Sequence, residues 1–189
     1  MKKVAILYIG TGRYTIFWDE FYNSCEKNLL KNCKKHYFFF TDSKDFKSNE
    51  KITIIPQENL GWPLITALRY KILNKIKEQL TDYDYAFFFN GNMEVIKEIK
   101  EKEFLPTREE GYIVAPLHSC NKRVKSNYEF DYERNPKSAS YIPYGEGEYY
   151  FHAGLLGGRV QEFLELLETC EKMIDEDLKN NFIPKFHDE

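Results

Sequence analysis

The pattern of apolar and polar residues predicts an α/β chain. Short apolar runs that end at a turn signal predict buried strands over residues 2–10, 35–42, 51–57, 85–89 and 111–117. Between the strands, apolar residues recur every three to four positions, which is the spacing of a core-facing helix. This spacing predicts helices over residues 17–30, 63–80 and 160–178. The opening order of strand, glycine turn and helix is typical of a nucleotide-binding unit.

The second half of the chain contains two less regular regions. Residues 118–141 are rich in charge, Asn, Ser and Pro, and an irregular segment of this length is more often functional or mobile than inert. Residues 141–159, "YIPYGEGEYYFHAGLLGGR", then interleave aromatic residues and glycines around one histidine. This composition favours a segment that lines a ligand-binding site. The alternative is a pair of strands that bends at the glycines and fills the core.

Composition narrows the class of protein. With 189 residues, 42% of them hydrophobic, the chain is expected to form one domain over residues 1–189. The net charge of -3 is spread along the chain, so no nucleic-acid partner is expected. No apolar stretch reaches the roughly 18 residues of a transmembrane helix. The four cysteines are far apart and form no CxxC pair, which favours reduced thiols and a cytoplasmic location.

Five segments, in order, resemble glycosyltransferase family 6, which contains the blood-group A and B transferases, the α1,3-galactosyltransferases and shorter bacterial relatives. They are "TGRYTIFWDEFYNSCEK", "GWPLITALRYKI", "FFFNGN", "FDYERNPKSASYIPYGEGEYYFHAGLLGG" and "FHDE". The resemblance implies a GT-A type nucleotide-sugar-binding fold, with a mixed, mostly parallel central sheet flanked by helices. Family members continue beyond the HDE motif, so the expectation is a catalytic domain over 1–189 that lacks the family's C-terminal segment.

The family also implies an activity and two partners. Its members move galactose or N-acetylgalactosamine from a UDP-sugar donor to the 3-hydroxyl of a galactoside-containing glycan acceptor, with retention of configuration. The chain is therefore expected to be a retaining hexosyltransferase. Two alternatives stay open, a UDP-sugar- or glycan-binding module that has lost catalysis and a slow UDP-sugar hydrolase.

Asn90, Gly91 and Asn92 follow the strand at 85–89 directly. Vertebrate relatives carry Asp-Val-Asp at this point, and bacterial relatives with Asn-x-Asn are metal-independent. Neutral amides are weak ligands for hard cations, so no metal and no other cofactor is expected. Asn90 and Asn92 are predicted to hydrogen-bond the donor, and a simple turn is the alternative.

Other donor-binding positions follow from the resemblance. Ile9, Gly10, Thr11 and Tyr14 fall where the family holds uridine, and the ring of Tyr14 is suited to stacking on a base. Arg69 falls at a donor-binding arginine, and a structural ion pair is the alternative for it.

The segment His152, Ala153 and Gly154 matches the place where the family selects its donor sugar. Gly154 leaves room for an N-acetyl group, whereas His152 resembles galactose-using members, so both donors stay open with a slight preference for N-acetylgalactosamine. His118 matches an acceptor-side position.

His187, Asp188 and Glu189 match the family's HDE segment. By this resemblance Glu189 is the catalytic residue beneath the anomeric carbon, Asp188 binds the donor and His187 binds the acceptor. Glu189 would either attack to form a glycosyl-enzyme or stabilise a positively charged transition state, and both routes retain configuration. Without the resemblance, Glu189 would be interpreted as a solvated terminal charge.

Overall fold

The computed structural model describes residues 1–185 and divides the chain into two units. Unit 1 comprises Met1–Asn59, Ile76–Val114 and Gly154–Leu164. Unit 2 comprises Leu60–Lys75, Ala115–Ala153 and the described part of Glu165–Glu189. No helix within the described residues is long and apolar enough to cross a membrane.

Unit 1 is built on a six-stranded sheet in the order β3-β2-β1-β4-β6-β5. The strands are β1 Lys3–Ile9, β2 Lys34–Thr41, β3 Ile52–Pro56, β4 Tyr85–Phe89, β5 Ile113–Val114 and β6 Leu155–Arg159. The pairs β2–β3, β1–β2 and β1–β4 are parallel, whereas β6 is antiparallel to β4 and to β5. The mixed, mostly parallel sheet flanked by helices confirms the predicted fold class.

Six α-helices lie within the described residues. They are α1 Trp18–Asn28, α2 Leu64–Ala67, α3 Arg69–Asn74, α4 Lys77–Leu80, α5 Glu101–Phe104 and α6 Val160–Lys179. A 3-10 turn over Gly12–Phe17 precedes α1, and two more cover Ser119–Lys122 and Asn127–Glu129. The predicted helices over 17–30 and 160–178 are confirmed as α1 and α6.

Two predicted elements differ from the structure. The single helix predicted over 63–80 is three short helices, because Leu68 (ψ 10°) and Ile76 (ψ 17°) leave the helical conformation. The strand predicted over 111–117 is reduced to the two residues of β5, because Gly111 and Tyr112 form a positive-φ turn before it. Leu117 makes only an isolated bridge to Phe151.

The core of unit 1 is rich in aromatic side chains on the sheet face that α1 covers. The rings of Trp18 and Phe39 stack with centroids 4.1 Å apart, and those of Tyr8 and Phe21 stack at 4.6 Å. All four side chains are buried. Because α1 is fixed against β1 and β2 in this way, the turn between β1 and α1 is held at the carboxyl end of the sheet.

Unit 2 has a smaller aromatic core of its own, formed by Phe130, Tyr132 and Tyr150. The guanidinium of Arg134 lies over the rings of Tyr132 and Tyr144, at 4.9 and 4.5 Å. It also donates to the carbonyl oxygens of Asn127, Ile142 and Pro143. The irregular segment predicted over 118–141 therefore has defined internal packing.

Candidate functional site

The turn after β1 carries the predicted uridine-binding residues Ile9, Gly10, Thr11 and Tyr14. The Gly10 N–H donates to the Phe40 carbonyl at 3.0 Å, and the Gly12 N–H donates to Oδ1 of Asp42 at 2.9 Å. Gly12 has a φ of +54°, a conformation that favours glycine. The turn is thus fixed by β2 and the residue that follows it, and Tyr14 is 40% exposed.

The turn after β4 carries the predicted pair Asn90 and Asn92. The Asn90 N–H donates to the Gly154 carbonyl at 2.7 Å, and its own carbonyl accepts from the Met93 N–H at 3.1 Å. Oδ1 of Asn90 accepts from the Gly91 N–H at 3.1 Å. The structure therefore contains the predicted turn, with the Asn92 side chain exposed at its tip. A turn does not exclude donor binding by these amides, which stays a prediction.

The two turns meet at Gly91. A Cβ at position 91 would lie 3.0 Å from the carbonyl oxygen of Ile9 and 3.4 Å from Cδ1 of Tyr14. Because β1 and β4 are parallel neighbours, their carboxyl ends deliver both turns to the same edge of the sheet. Unit 1 thus brings together the predicted donor-binding positions at 9–14 and 90–92.

Tyr8 connects these turns and was not predicted as a site residue. Its buried hydroxyl donates to the Gly91 carbonyl at 2.8 Å, and it lies 3.5 Å from the Tyr14 carbonyl oxygen. Burial raises the pKa of the Tyr8 phenol, so the hydroxyl stays protonated as a donor. Within the apolar run of β1, Tyr8 looks like any core aromatic, and only the pairing of β1 with β4 gives its hydroxyl a partner.

Tyr8→Phe is expected to lower the free energy of unfolding by about 1–2 kcal/mol, because it leaves the Gly91 carbonyl without its buried donor. The two turns would be held less firmly, so UDP affinity is expected to fall as well. Urea unfolding and UDP titration measure the two effects. Tyr83→Phe in the same unit is the control, and equal losses of UDP affinity in both variants would contradict this role of Tyr8.

In unit 2, Arg69 is 5% exposed and holds the main chain of the predicted donor-selecting segment. Its Nη1 donates to the Ala153 carbonyl at 2.7 Å. The guanidinium thus fixes the residue next to Gly154. Direct binding of the donor by Arg69 stays a prediction.

His118 and His152 lie side by side in unit 2. The His118 N–H donates to the Tyr150 carbonyl at 2.9 Å and the His152 N–H to the Pro116 carbonyl at 2.8 Å, which forms a short antiparallel ribbon. The two imidazoles stack with centroids 5.7 Å apart. Nδ1 of His118 accepts from the Cys120 N–H, so the neutral ring carries its proton on Nε2. One predicted acceptor residue and one predicted donor residue are therefore neighbours.

Three predicted residues, His187, Asp188 and Glu189, lie outside the described residues. The others fall in both units, with Ile9, Gly10, Thr11, Tyr14, Asn90, Asn92 and Gly154 in unit 1 and Arg69, His118, His152 and Ala153 in unit 2. Up to residue 185, no three His, Cys, Asp or Glu side chains are grouped as a metal ion would require.

The family model Glycosyltransferase family 6 matches residues 3–189. A glycine-containing turn at the carboxyl end of the first parallel strand is typical of a nucleotide-binding α/β protein. The chain belongs to glycosyltransferase family 6, which confirms the resemblance drawn from its motifs.

Three relatives show the range of the family. An O-antigen biosynthesis glycosyltransferase of Escherichia coli, WbnI, is 34% identical over 188 residues, which are 98% of this chain and 78% of the relative. The histo-blood group ABO system transferase 1 of Rattus norvegicus is 25% identical, with 98% and 54% covered. The globoside alpha-1,3-N-acetylgalactosaminyltransferase 1 of Gallus gallus is 27% identical, with 98% and 55% covered. The chain thus spans about half the length of the two vertebrate relatives.

Proposed function

We propose that the protein transfers N-acetylgalactosamine or galactose from a UDP donor to the 3-hydroxyl of a galactoside acceptor, with retention and without a metal ion. Membership of a glycosyltransferase family supports a nucleotide-sugar donor and a glycan acceptor. The name of the chicken relative includes α1,3 transfer of N-acetylgalactosamine, and that of the Escherichia coli relative includes O-antigen biosynthesis. The first name supports this choice of sugar and linkage, and the second supports a glycan acceptor.

The observation that carries the proposal is the meeting of the two turns at Gly91 in unit 1. The half-exposed ring of Tyr14 offers a face to the uracil base. Gly10 is buried, and because it lacks a Cβ this turn packs closely on the rings of Tyr8 and Phe39, which fixes the place of Ile9 and Thr11. Asn90 and Asn92 offer amide donors and acceptors to the ribose or the sugar.

Without a metal ion, the charge on the departing UDP must be met by cationic or N–H groups. Arg13 lies in the same turn as Tyr14, with its guanidinium 5.8 Å from the Tyr14 ring centroid. A guanidinium forms charge-assisted, often bidentate hydrogen bonds with phosphate oxygens. We therefore assign Arg13 to the diphosphate, next to the uridine positions.

The chemical step is assigned to Glu189, whose carboxylate would stabilise the positive charge that develops on the anomeric carbon. His118 would face the acceptor and His152 the donor sugar. The stacking of the two imidazoles supports this assignment, because two residues that contact the acceptor and the donor sugar of one reaction must be neighbours.

A cytoplasmic location is part of the proposal. No disulfide joins the four cysteines in the part of the chain that the structure describes, where Cys25 and Cys33 are buried and Cys120 and Cys170 are half-buried. Free thiols persist in a reducing compartment.

A donor and acceptor screen read by mass spectrometry tests the proposed function. UDP-galactose, UDP-N-acetylgalactosamine, UDP-glucose and UDP-N-acetylglucosamine are each combined with a set of β-galactosides and matched β-glucosides. The expected result is a hexose or N-acetylhexosamine added to galactosides, from one or both galacto-configured donors. Free sugar without transfer would identify a hydrolase, and UDP binding without either product would identify a binding module.

Gly154→Leu tests the assignment of donor choice. Gly154 is buried and its carbonyl accepts from the Asn90 N–H, so its α-carbon lies beside the predicted donor-binding turn. A larger side chain would clash with the acetamido group and spare the galactose hydroxyl, so the preference for UDP-galactose is expected to rise about tenfold or more. The ratio of kcat/KM values for the two donors measures it. Equal losses for both donors, in a variant with an unchanged circular dichroism spectrum, would place Gly154 away from the 2-substituent.

A further inference from the structure

The irregular segment Asp131–Tyr141 is joined to the end of α6 and the residues after it, within unit 2. The carboxylate of Asp177, fully buried in α6, accepts from the Ser138 hydroxyl and the Ala139 N–H, both at 2.6 Å. The Asp177 carbonyl accepts from the Phe182 N–H at 2.9 Å, which turns the chain back after the helix. Asp177 thus secures the middle of the segment.

Glu133 makes a second connection within unit 2, to Lys185, which follows α6. Its Oε1 accepts from the Asn135 N–H at 2.7 Å and its Oε2 from the Lys185 N–H at 2.8 Å. The carboxylate therefore bridges two main-chain groups that lie 50 residues apart, since 185 − 135 = 50. One half-buried side chain fixes the position of the chain at Lys185.

Lys185 is two residues before His187, where the HDE segment begins. We propose that Glu133 is a positioning residue for the transfer reaction. It binds the main-chain N–H of Lys185 and so fixes the chain two residues before the HDE segment. The inference rests on the proposed catalytic role of Glu189. It assigns Glu133 no contact with either substrate.

The bridge needs a carboxylate. Both of its partners are N–H donors, so both side-chain oxygens must accept. In Glu133→Gln, only one oxygen remains, and the NH₂ group would face an N–H donor. The substitution keeps the size of the side chain, removes one charge-assisted hydrogen bond and places two donors against each other.

Asp131 provides the matched control. Its Oδ1 lies 3.4 Å from Nζ of Lys185, and both side chains are more than half exposed. Asp131→Asn removes the same unit of charge beside the same lysine, but it leaves the main-chain bond to Glu133 intact. An exposed ion pair of this kind contributes little.

Transfer kinetics, UDP titration and amide hydrogen exchange are measured on the full chain, for the wild type and both variants. In Glu133→Gln, kcat is expected to fall about tenfold or more, with the Kd for UDP within about twofold of wild type. Exchange of the Lys185 amide is expected to accelerate about tenfold. Asp131→Asn is expected to stay within about twofold of wild type in all three measurements.

Unchanged kcat in Glu133→Gln, beside an active wild type, overturns the positioning role, even when the midpoint of thermal unfolding falls. A parallel loss of UDP affinity also overturns it, because the residue would then act on the donor site. Absence of transfer in the wild type refutes the proposed function and the positioning role with it. The exchange rate of the Lys185 amide still decides whether the bridge exists.

Discussion

Glu189→Gln is expected to lower the turnover number about 100-fold or more, which is close to 3 kcal/mol of activation free energy. The amide keeps the size of the side chain and much of its hydrogen bonding, but it cannot offset positive charge on the anomeric carbon. Because that charge develops only as the bond to UDP breaks, the affinity for UDP is expected to change little.

Single-turnover transfer and UDP titration together decide this prediction. Glu98→Gln is the control, because Glu98 makes an ion pair with Lys31 on the surface of unit 1, at 3.2 Å and half exposed. A few residues appended after position 189 in every variant keep an α-carboxylate from replacing the missing charge. Near-normal turnover in Glu189→Gln would refute the catalytic role, and lost UDP binding would make Glu189 a structural residue.

Gly157→Ala is expected to lower the free energy of unfolding by about 3 kcal/mol or more. Gly157 pairs with Phe87 of β4 and Val114 of β5. A Cβ at this position would overlap the carbonyl oxygen of Ala86 and lie 2.6 Å from Cα of Phe87. Main-chain atoms of a central strand cannot move aside without breaking the sheet, so the strain is not relieved locally.

Gly111→Ala in the same unit is the control for this prediction. Gly111 has a φ of +73°, but no heavy atom lies within 4 Å of an added Cβ. Gly111→Ala is therefore expected to lower the free energy of unfolding by about 1 kcal/mol, which is the cost of placing alanine in the left-handed conformation. Urea unfolding followed by circular dichroism compares the two variants. Equal midpoints would contradict the position of β6 between β4 and β5.

The sequence predicted the main strands because their apolar runs are short, bounded and buried. β1, β2 and β4 combine β-branched or aromatic residues with sharp ends at Gly10, Asp42 and Asn90. Helix α6 was predicted because its apolar stripe continues over five turns. In these elements the local pattern and the tertiary packing favour the same structure.

β6 and the division of the helix over 63–80 could not be predicted in this way. The sequence of β6 is "LLGGR", and its glycines suggested either a segment that lines a ligand-binding site or a bent pair of strands. They are required because β4 and β5 leave no room for a Cβ, a property of the neighbouring strands and not of the segment itself. The breaks at Leu68 and Ile76 likewise occur within an uninterrupted helical pattern.

The candidate site was predicted in part. The position of Asn90 directly after a buried strand indicated the edge of the sheet, and the structure brings this turn beside Ile9 and Tyr14. Tyr8 and Glu133 were missed because each acts on a main-chain group far away in the sequence. No local periodicity carries that information.

The most direct test of the account is the anomeric configuration of the product, followed by ¹H NMR while a chelator is present. The UDP-sugar donor is α-linked, so with retention an α1,3-linked galactoside is expected to appear as UDP is released. Amides at positions 90 and 92 bind hard cations weakly, so the rate with chelator is expected to stay within about twofold of the rate without it. A β-linked product, or transfer that stops with chelator and returns with Mn²⁺, would contradict the account.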